Sequence, residues 1–440
     1  MTRVAPTLGR SRESDKGGLG VGGFLWLALA LTWPASARTA EVPRSALPPL
    51  PAAELSASFG VSTPEAEGID SAKLLALTNW IRDQKLPLFS FLISRHGKLV
   101  YELYTSNLGR DEAHYVMSVT KSVTSALVGI VLDQGKLPGP DAPLTKVLPA
   151  SLFSNPADAK RFSALTLKEV LGMSALDALE PPFATTPEAV ERAKQLAAAK
   201  NHVVFALTQK LLPQPGVSFQ YNDVTPQLAV GAVEYTTNQS AFQFAQKVLF
   251  EPLGFHNEEW MHEDAAGIDN GGYGLRLRPI DMQKFGLLYL RGGAWNGKQI
   301  ISKKWVELSF QPWIRSGPEV NKANYGWYWW DETYVSGWES HEAHGWKGQR
   351  IVVIPSQELV ITMTCDIEND TEQDVLRAIM RNFIVPAIRG AKTATPNPKV
   401  TADLLTAMSQ LHSTNLLPPK VEARMVPSVA AKQQHHDFRP

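Results

Sequence analysis

Tyr115-Val116-Met117-Ser118-Val119-Thr120-Lys121-Ser122-Val123 sets a serine and a lysine three residues apart at the head of an apolar run. Val119, Val123, Ala126, Leu127, Ile130 and Val131 recur at helical spacing, and Gly135 followed by Pro138 ends the pattern. The spacing predicts a buried helix opened by Ser118, with Lys121 one turn on and on the same face. Such a pair suits a serine nucleophile that carries its own amine base. The positive end of the helix favours a forming alkoxide and disfavours a protonated amine beside it. Alone the motif is weak, since a chain of this length holds about one Ser-x-x-Lys by chance. The plain alternative is an ordinary helix, with Ser118 as its N-cap and Lys121 in water.

The rest of the composition sets bounds. The chain has 440 residues, no net charge, 44% hydrophobic and 20% charged residues, which is a globular balance with ample core. It shows no sustained basic stripe, so neither nucleic acid nor a membrane surface is expected as a partner. The single cysteine, Cys365, excludes an intrachain disulfide and closes an apolar run, so a buried strand residue is expected there. Arg3, Arg10, Arg12 and Lys16 precede an apolar run over 21–33, then Pro34 and Ala35-Ser36-Ala37. These are the marks of a secretory signal at residues 1–37, placing the mature protein in a periplasm or outside the cell without a membrane span. An uncleaved N-terminal anchor is the alternative.

Residues 38–60 are rich in Pro and Ala and read as a linker to a folded domain over 61–390. That domain is expected to begin with a helix over 71–84 and a hairpin, 89–95 and 98–104, turned by His96-Gly97. After the Ser118 helix the pattern stays helical: 167–173, 187–212, 224–236, 240–249 and 279–291. Strand character returns in the aromatic run 325–330 and in a hairpin, 349–354 and 358–364, before a helix over 372–385. The expected fold is therefore α+β. An antiparallel sheet, flanked by N- and C-terminal helices, receives an all-helical lobe inserted over 118–310. A cleft is expected where the two lobes meet. Residues 391–440 are Pro-rich and, apart from 402–411, patternless, so a partly disordered tail is expected.

Two further motifs follow in order. Pro215-Gly216-Val217-Ser218-Phe219-Gln220-Tyr221-Asn222-Asp223 sits where the helical lobe needs a loop, and Ala343-His344-Gly345-Trp346-Lys347-Gly348-Gln349 leads into the last hairpin. With the serine motif, the chain resembles the serine β-lactamase and penicillin-binding-protein superfamily. More narrowly it looks like the class C β-lactamase-like branch that holds family VIII carboxylesterases and the 6-aminohexanoate-dimer hydrolase. Arg95-His96-Gly97-Lys98-Leu99-Val100-Tyr101-Glu102, Asp281-Met282-Gln283-Lys284-Phe285-Gly286 and Gly292-Gly293-Ala294-Trp295-Asn296-Gly297-Lys298 extend the likeness over 60–388.

The resemblance implies that Ser118 is the acylated nucleophile, Lys121 takes or relays its proton, and Tyr221 assists as base and as acid to the leaving group. It assigns the oxyanion hole to the N–H groups of Ser118 and Trp346, beside Gly345. Elementary chemistry agrees that the three side chains belong together. A serine hydroxyl needs a base in reach, a buried lysine can be tuned toward neutrality, and a tyrosine near a cation toward phenolate. Two departures stand out. The family's Tyr-x-Asn reads Tyr221-Asn222-Asp223, which leaves two readings: a carboxylate close to Lys121 that favours the charged amine, or Asp223 capping the following helix while Asn222 reaches the cleft. Its Lys-Thr-Gly is missing, and Lys347 is the candidate replacement for gripping a substrate carboxylate.

The expected activity is cleavage of a small ester, amide or short peptide without cofactor. A DD-peptidase, a weak β-lactamase, or an idle relative that binds peptidoglycan or a protein are the alternatives. His341-Glu342-Ala343-His344 lacks the spacing of a helical zinc motif, and no metal is expected.

Overall fold

The computed structural model describes residues 60–416, apart from 154, 180–185, 262–263, 317–323, 335, 368–371 and 389–393. The expected signal peptide, all but the last residue of the linker, and the tail beyond 416 lie outside these residues.

An eight-stranded antiparallel sheet forms the frame. Its order is Ile314–Arg315, Asn324–Tyr325, Trp330–Thr333, Glu339–Gly345, Gln349–Ile354, Leu359–Cys365, Leu88–Arg95 and Lys98–Tyr104. Leu88–Arg95 and Leu359–Cys365 are buried along their whole length, because helices cover both faces of the sheet there. Side chains alternate between those faces. Phe91, Ile93, Val352 and Ile354 join a core with Leu74, Leu77, Leu376 and Leu411. Leu92, Ile351 and Val353 join the larger core of the helical lobe. The hairpin turn at His96 (φ 50°) and Gly97 (φ 75°) is left-handed at both residues, as a two-residue turn between twisted strands requires.

Helices Ser71–Asp83, Glu372–Ile379 and Pro398–His412 lie on the first face. On the other, Pro279–Leu290 rests directly on the sheet. A Cβ at Gly286 would lie 2.6 Å from Val360 Cγ1 and 2.8 Å from Ile351 Cγ2. Behind it the helix Val119–Asp133 is buried from its first residue to Val131, against Thr225–Thr237 and its neighbours. Sheet, terminal helices and inserted helical lobe thus match the expected architecture.

Three expectations are corrected. The helix expected over 187–212 is two, Pro187–Ala198 and His202–Thr208, because Asn201 Oδ1 accepts from Val204 N at 2.9 Å and starts a new helix. The aromatic run is not one strand. Gly326 through Trp329 form a buried turn, with Tyr328 at φ 65° and Gly326 N bonded to Trp329 O at 2.7 Å. The segment expected as tail carries the helix Pro398–His412, which buries Leu404, Ala407 and Leu411. Its end is held by Asn107 N donating to His412 O at 2.7 Å. The folded domain therefore runs past residue 390.

Candidate active site

The turn that enters the helix Val119–Asp133 leaves the Ser118 hydroxyl out of helix capping. Met117 is left-handed (φ 50°), and the chain enters the helix at Ser118 with no side-chain cap bond. Ser118 thus holds the N-cap position without its side chain capping the helix. Its Oγ instead accepts from Lys121 Nζ at 2.9 Å. Lys121 is 1% exposed, so the solvent-facing alternative also fails.

Lys121 Nζ has two further acceptors, Asp223 Oδ1 in a short ion pair and Gly272 O at 2.9 Å. Asp223 Oδ1 and Gly272 O can only accept, so both take N–H bonds of the amine. The Tyr221 hydroxyl joins the same cluster, hydrogen-bonded to Ser118 and Lys121. Burial pulls the Lys121 pKa down, yet the Asp223 carboxylate and Tyr221 outweigh it and hold the amine above its ordinary value. Burial also raises Tyr221, and Lys121 offsets that only in part. Both directions favour an ammonium at Lys121 and a neutral phenol at Tyr221. The shifts run opposite to a tuning of lysine toward neutrality and tyrosine toward phenolate.

Of the two readings left open for Asn222 and Asp223, the structure has Asp223 facing Lys121. Asn222 is fully buried. Its Oδ1 accepts from Thr225 N at 2.7 Å and its Nδ2 donates to Gln220 O at 3.0 Å, so it ties the first turn of the helix Thr225–Thr237. Asp223 takes the ammonium. The physical reason is charge: a buried cation draws the carboxylate, while a neutral amide suffices for neutral backbone groups.

Gly272 was not anticipated. The loop Asp269-Asn270-Gly271-Gly272 brings its carbonyl to Lys121, and a Cβ at Gly271 would overlap Pro226 O. Asn270 Oδ1 braces the loop by accepting from Gly272 N and Tyr273 N, both at 2.9 Å. Two adjacent glycines between polar residues were the available signal.

Tyr221 stands on an aromatic bed, with Trp330 at 5.5 Å and Tyr325 edge-on at 6.2 Å between ring centroids. Rings of the run 325–330 thus support the site from beneath. Trp330 is in turn stacked on His344 at 5.5 Å, and His344 Nε2 bonds Glu342 Oε2 at 2.8 Å. His341 faces the other side of its strand and pairs with Asp331 at 2.6 Å.

The last motif closes against the nucleophile turn. A Cβ at Gly345 would overlap Val116 O, so only glycine lets the strand Glu339–Gly345 come this near. Trp346 follows at once, and with Met117 it borders one cleft. Among the described residues nothing accepts the Ser118 N–H, as suits an oxyanion donor. Lys347 is left-handed (φ 63°), in the turn after the strand, and its Nζ is paired with Asp366. Its charge is already matched, so the expected carboxylate grip is not formed.

Comparison with known proteins bears on the family and the fold. The curated 6-aminohexanoate-dimer hydrolase of Paenarthrobacter ureafaciens is 22% identical over 228 residues, 50% of this chain and 56% of that protein. The match thus spans about half the length of that relative. A solved structure from Bacillus anthracis, provisionally named 6-aminohexanoate-dimer hydrolase, aligns at TM-score 0.59 and 21% identity over 71% of this chain and 81% of that one. EstCE1, described as a hydrolase with promiscuous acyltransferase activity, aligns at TM-score 0.56 and 14% identity over 72% and 98%. At these identities the structural likeness is one of fold. A sequence model of the family described as Beta-lactamase covers residues 72–382, from the first terminal helix to the helix after the last strand. The chain therefore belongs to the β-lactamase family.

Proposed function

We propose that this protein is a serine hydrolase that cleaves an ester or amide through an acyl-enzyme on Ser118, acting outside the cytoplasm as the basic and apolar pattern of residues 1–37 suggests. The observation that carries the reading is the convergence of Ser118, Lys121 and Tyr221 in one hydrogen-bonded cluster, from stretches far apart in the chain.

The protonation states select a route. Lys121, as an ammonium, is not the initial base. Ser118 Oγ gives its proton to the Tyr221 oxygen as Oγ attacks the carbonyl carbon. Tyr221 passes its own proton to the leaving oxygen or nitrogen, and the bond to that atom breaks. Negative charge that builds on Oγ and on the phenol oxygen is stabilised by Lys121, whose charge Asp223 balances. The N–H groups of Ser118 and Trp346 receive the carbonyl oxygen, where one lost donor costs roughly 2.7–4 kcal/mol. Deacylation reverses the shuttle. Water gives a proton to Tyr221, Tyr221 returns one to Ser118 Oγ, and the acid departs.

The test is Ser118→Ala. It should abolish turnover of p-nitrophenyl esters and covalent labelling by a fluorophosphonate. Undiminished turnover in the folded variant would refute the assignment.

A further inference from the structure

The Trp346 N–H, proposed above as an oxyanion donor, shares its peptide unit with the Gly345 carbonyl. Arg350 Nη1 donates to that carbonyl oxygen at 3.0 Å, and to Gln349 O at 3.1 Å. A trans peptide points its C=O and its N–H in opposite directions. The guanidinium therefore lies on the side of the peptide away from the place of a substrate oxygen.

Stability alone gives little reason for an arginine here. Arg350 is 1% exposed, pairs across the strands with His344, and alternates along its own strand with Val352 and Ile354 of the core. Taking a guanidinium out of water is costly, and an apolar side chain of like volume commonly serves stability as well or better. Nor does the turn depend on Arg350 for its shape. Gln349 Nε2 donates to Trp346 O at 3.2 Å and to Cys365 O at 2.6 Å. The Cys365 thiol and Ile367 N both donate to Lys347 O, at 3.0 and 3.1 Å. The charge of Arg350 is felt close by: burial first, and Arg350 after it, lower the His344 pKa to about 4.

Resonance couples the two ends of a peptide unit. A cation bonded to the carbonyl oxygen draws electron density away from the nitrogen, so the N–H on the far side becomes a stronger donor. Bonds in series polarise one another in this way, and a charged donor in a buried setting does so most. A stronger donor favours the charged tetrahedral oxygen over the neutral carbonyl, so its benefit falls on kcat and not on KM.

We propose that Arg350 is a positioning residue of the oxyanion site, which polarises the Gly345–Trp346 peptide so that its N–H binds the substrate oxygen more strongly as charge builds there. This role rests on the serine-hydrolase reading and on Trp346 as an oxyanion donor. The test compares wild type with Arg350→Met, which keeps bulk and removes charge, and Arg350→Lys, which keeps charge on a shorter stem. With p-nitrophenyl butyrate, Arg350→Met should lose about tenfold in kcat, less than the loss of a whole donor, while KM stays within about twofold. An alkyl trifluoromethyl ketone, whose serine adduct carries a negative oxygen, should bind more weakly by the same factor, and Arg350→Lys should fall between. A purely structural residue would shift the urea midpoint and spare both quantities. Wild-type kcat and ketone affinity in folded Arg350→Met would overturn the role. Should that variant not fold, Arg350→Lys decides: a parallel fall in rate and ketone affinity supports the role, and wild-type values overturn it. A wild-type protein that neither turns over esters nor binds the ketone would sink the hydrolase reading, and this role with it, a result distinct from variants that match an active wild type.

Discussion

At the scale of single residues, the unusual feature is a lysine held charged next to the nucleophile. Asp223 is the group responsible, so Asp223→Asn should let burial dominate and lower the Lys121 pKa. A site that works with Lys121 as an ammonium loses rate as that amine deprotonates. The alkaline limb of the kcat/KM profile should therefore move to lower pH in the variant, by about one unit or more. An unmoved limb would show that Asp223 does not set the charge. This pairing also marks the edge of what the sequence discloses. Ser118, Lys121 and Tyr221 lie in local patterns with a chemical reason for each residue, and they are legible. Which of Asn222 and Asp223 turns inward depends on how the chain enters the helix Thr225–Thr237, a matter of a single residue's rotation. The Gly272 carbonyl is backbone, and no side-chain motif announces it.

At the scale of elements, the strand Glu339–Gly345 and the nucleophile turn meet through one missing Cβ. Gly345→Ala would drive a methyl into Val116 O, an atom fixed by Val116 N bonding Leu275 O at 3.0 Å. Overpacking of this kind costs about 1–3 kcal/mol. Here the strain would fall on the Trp346 N–H, so ester turnover should drop by about a hundredfold. A midpoint of urea unfolding moved by no more than the packing cost would separate lost alignment from lost folding. Long periodic elements such as Val119–Asp133 and the two central hairpin partners were legible from spacing alone. The buried turn Gly326 through Trp329 was not, because it lacks the polar residues that mark turns in water. Its backbone is satisfied from within the core, as where Ser122 Oγ donates to Tyr328 O at 2.7 Å.

At the scale of the whole molecule, stability should depend on pH through histidines kept neutral. Burial is the first cause for both His114 and His344, and nearby arginines add to it, lowering each to about 4 against an ordinary 6.5. Between those values the unfolded chain binds protons that the folded chain refuses. Stability should therefore fall as pH drops from about 6.5 to 4, by more than one proton's slope, in urea midpoints taken across that range. The terminal helix offers a second test. A chain ending at residue 393 would lose Leu404 and Leu411 from the core, at about 1.5–3 kcal/mol each. That is a large share of the roughly 5–15 kcal/mol typical of a domain, and the urea midpoint should fall accordingly. The layered architecture was legible because strands cluster at both ends of the chain. The docking of Pro398–His412 was not, since a short amphipathic stretch in a Pro-rich region does not name the surface it covers.

The pairing of Leu88–Arg95 with Leu359–Cys365 has a bearing on how this protein comes into being. Until the ribosome has delivered that late strand, the early hairpin lacks its inner neighbour and stays open along one edge. Nor has Trp346, the proposed second oxyanion donor, been joined to the serine turn until translation is well advanced. A nascent chain thus carries Ser118, the proposed nucleophile, well before the proposed site can be completed, and with an unfinished sheet that favours slow closure and invites aggregation.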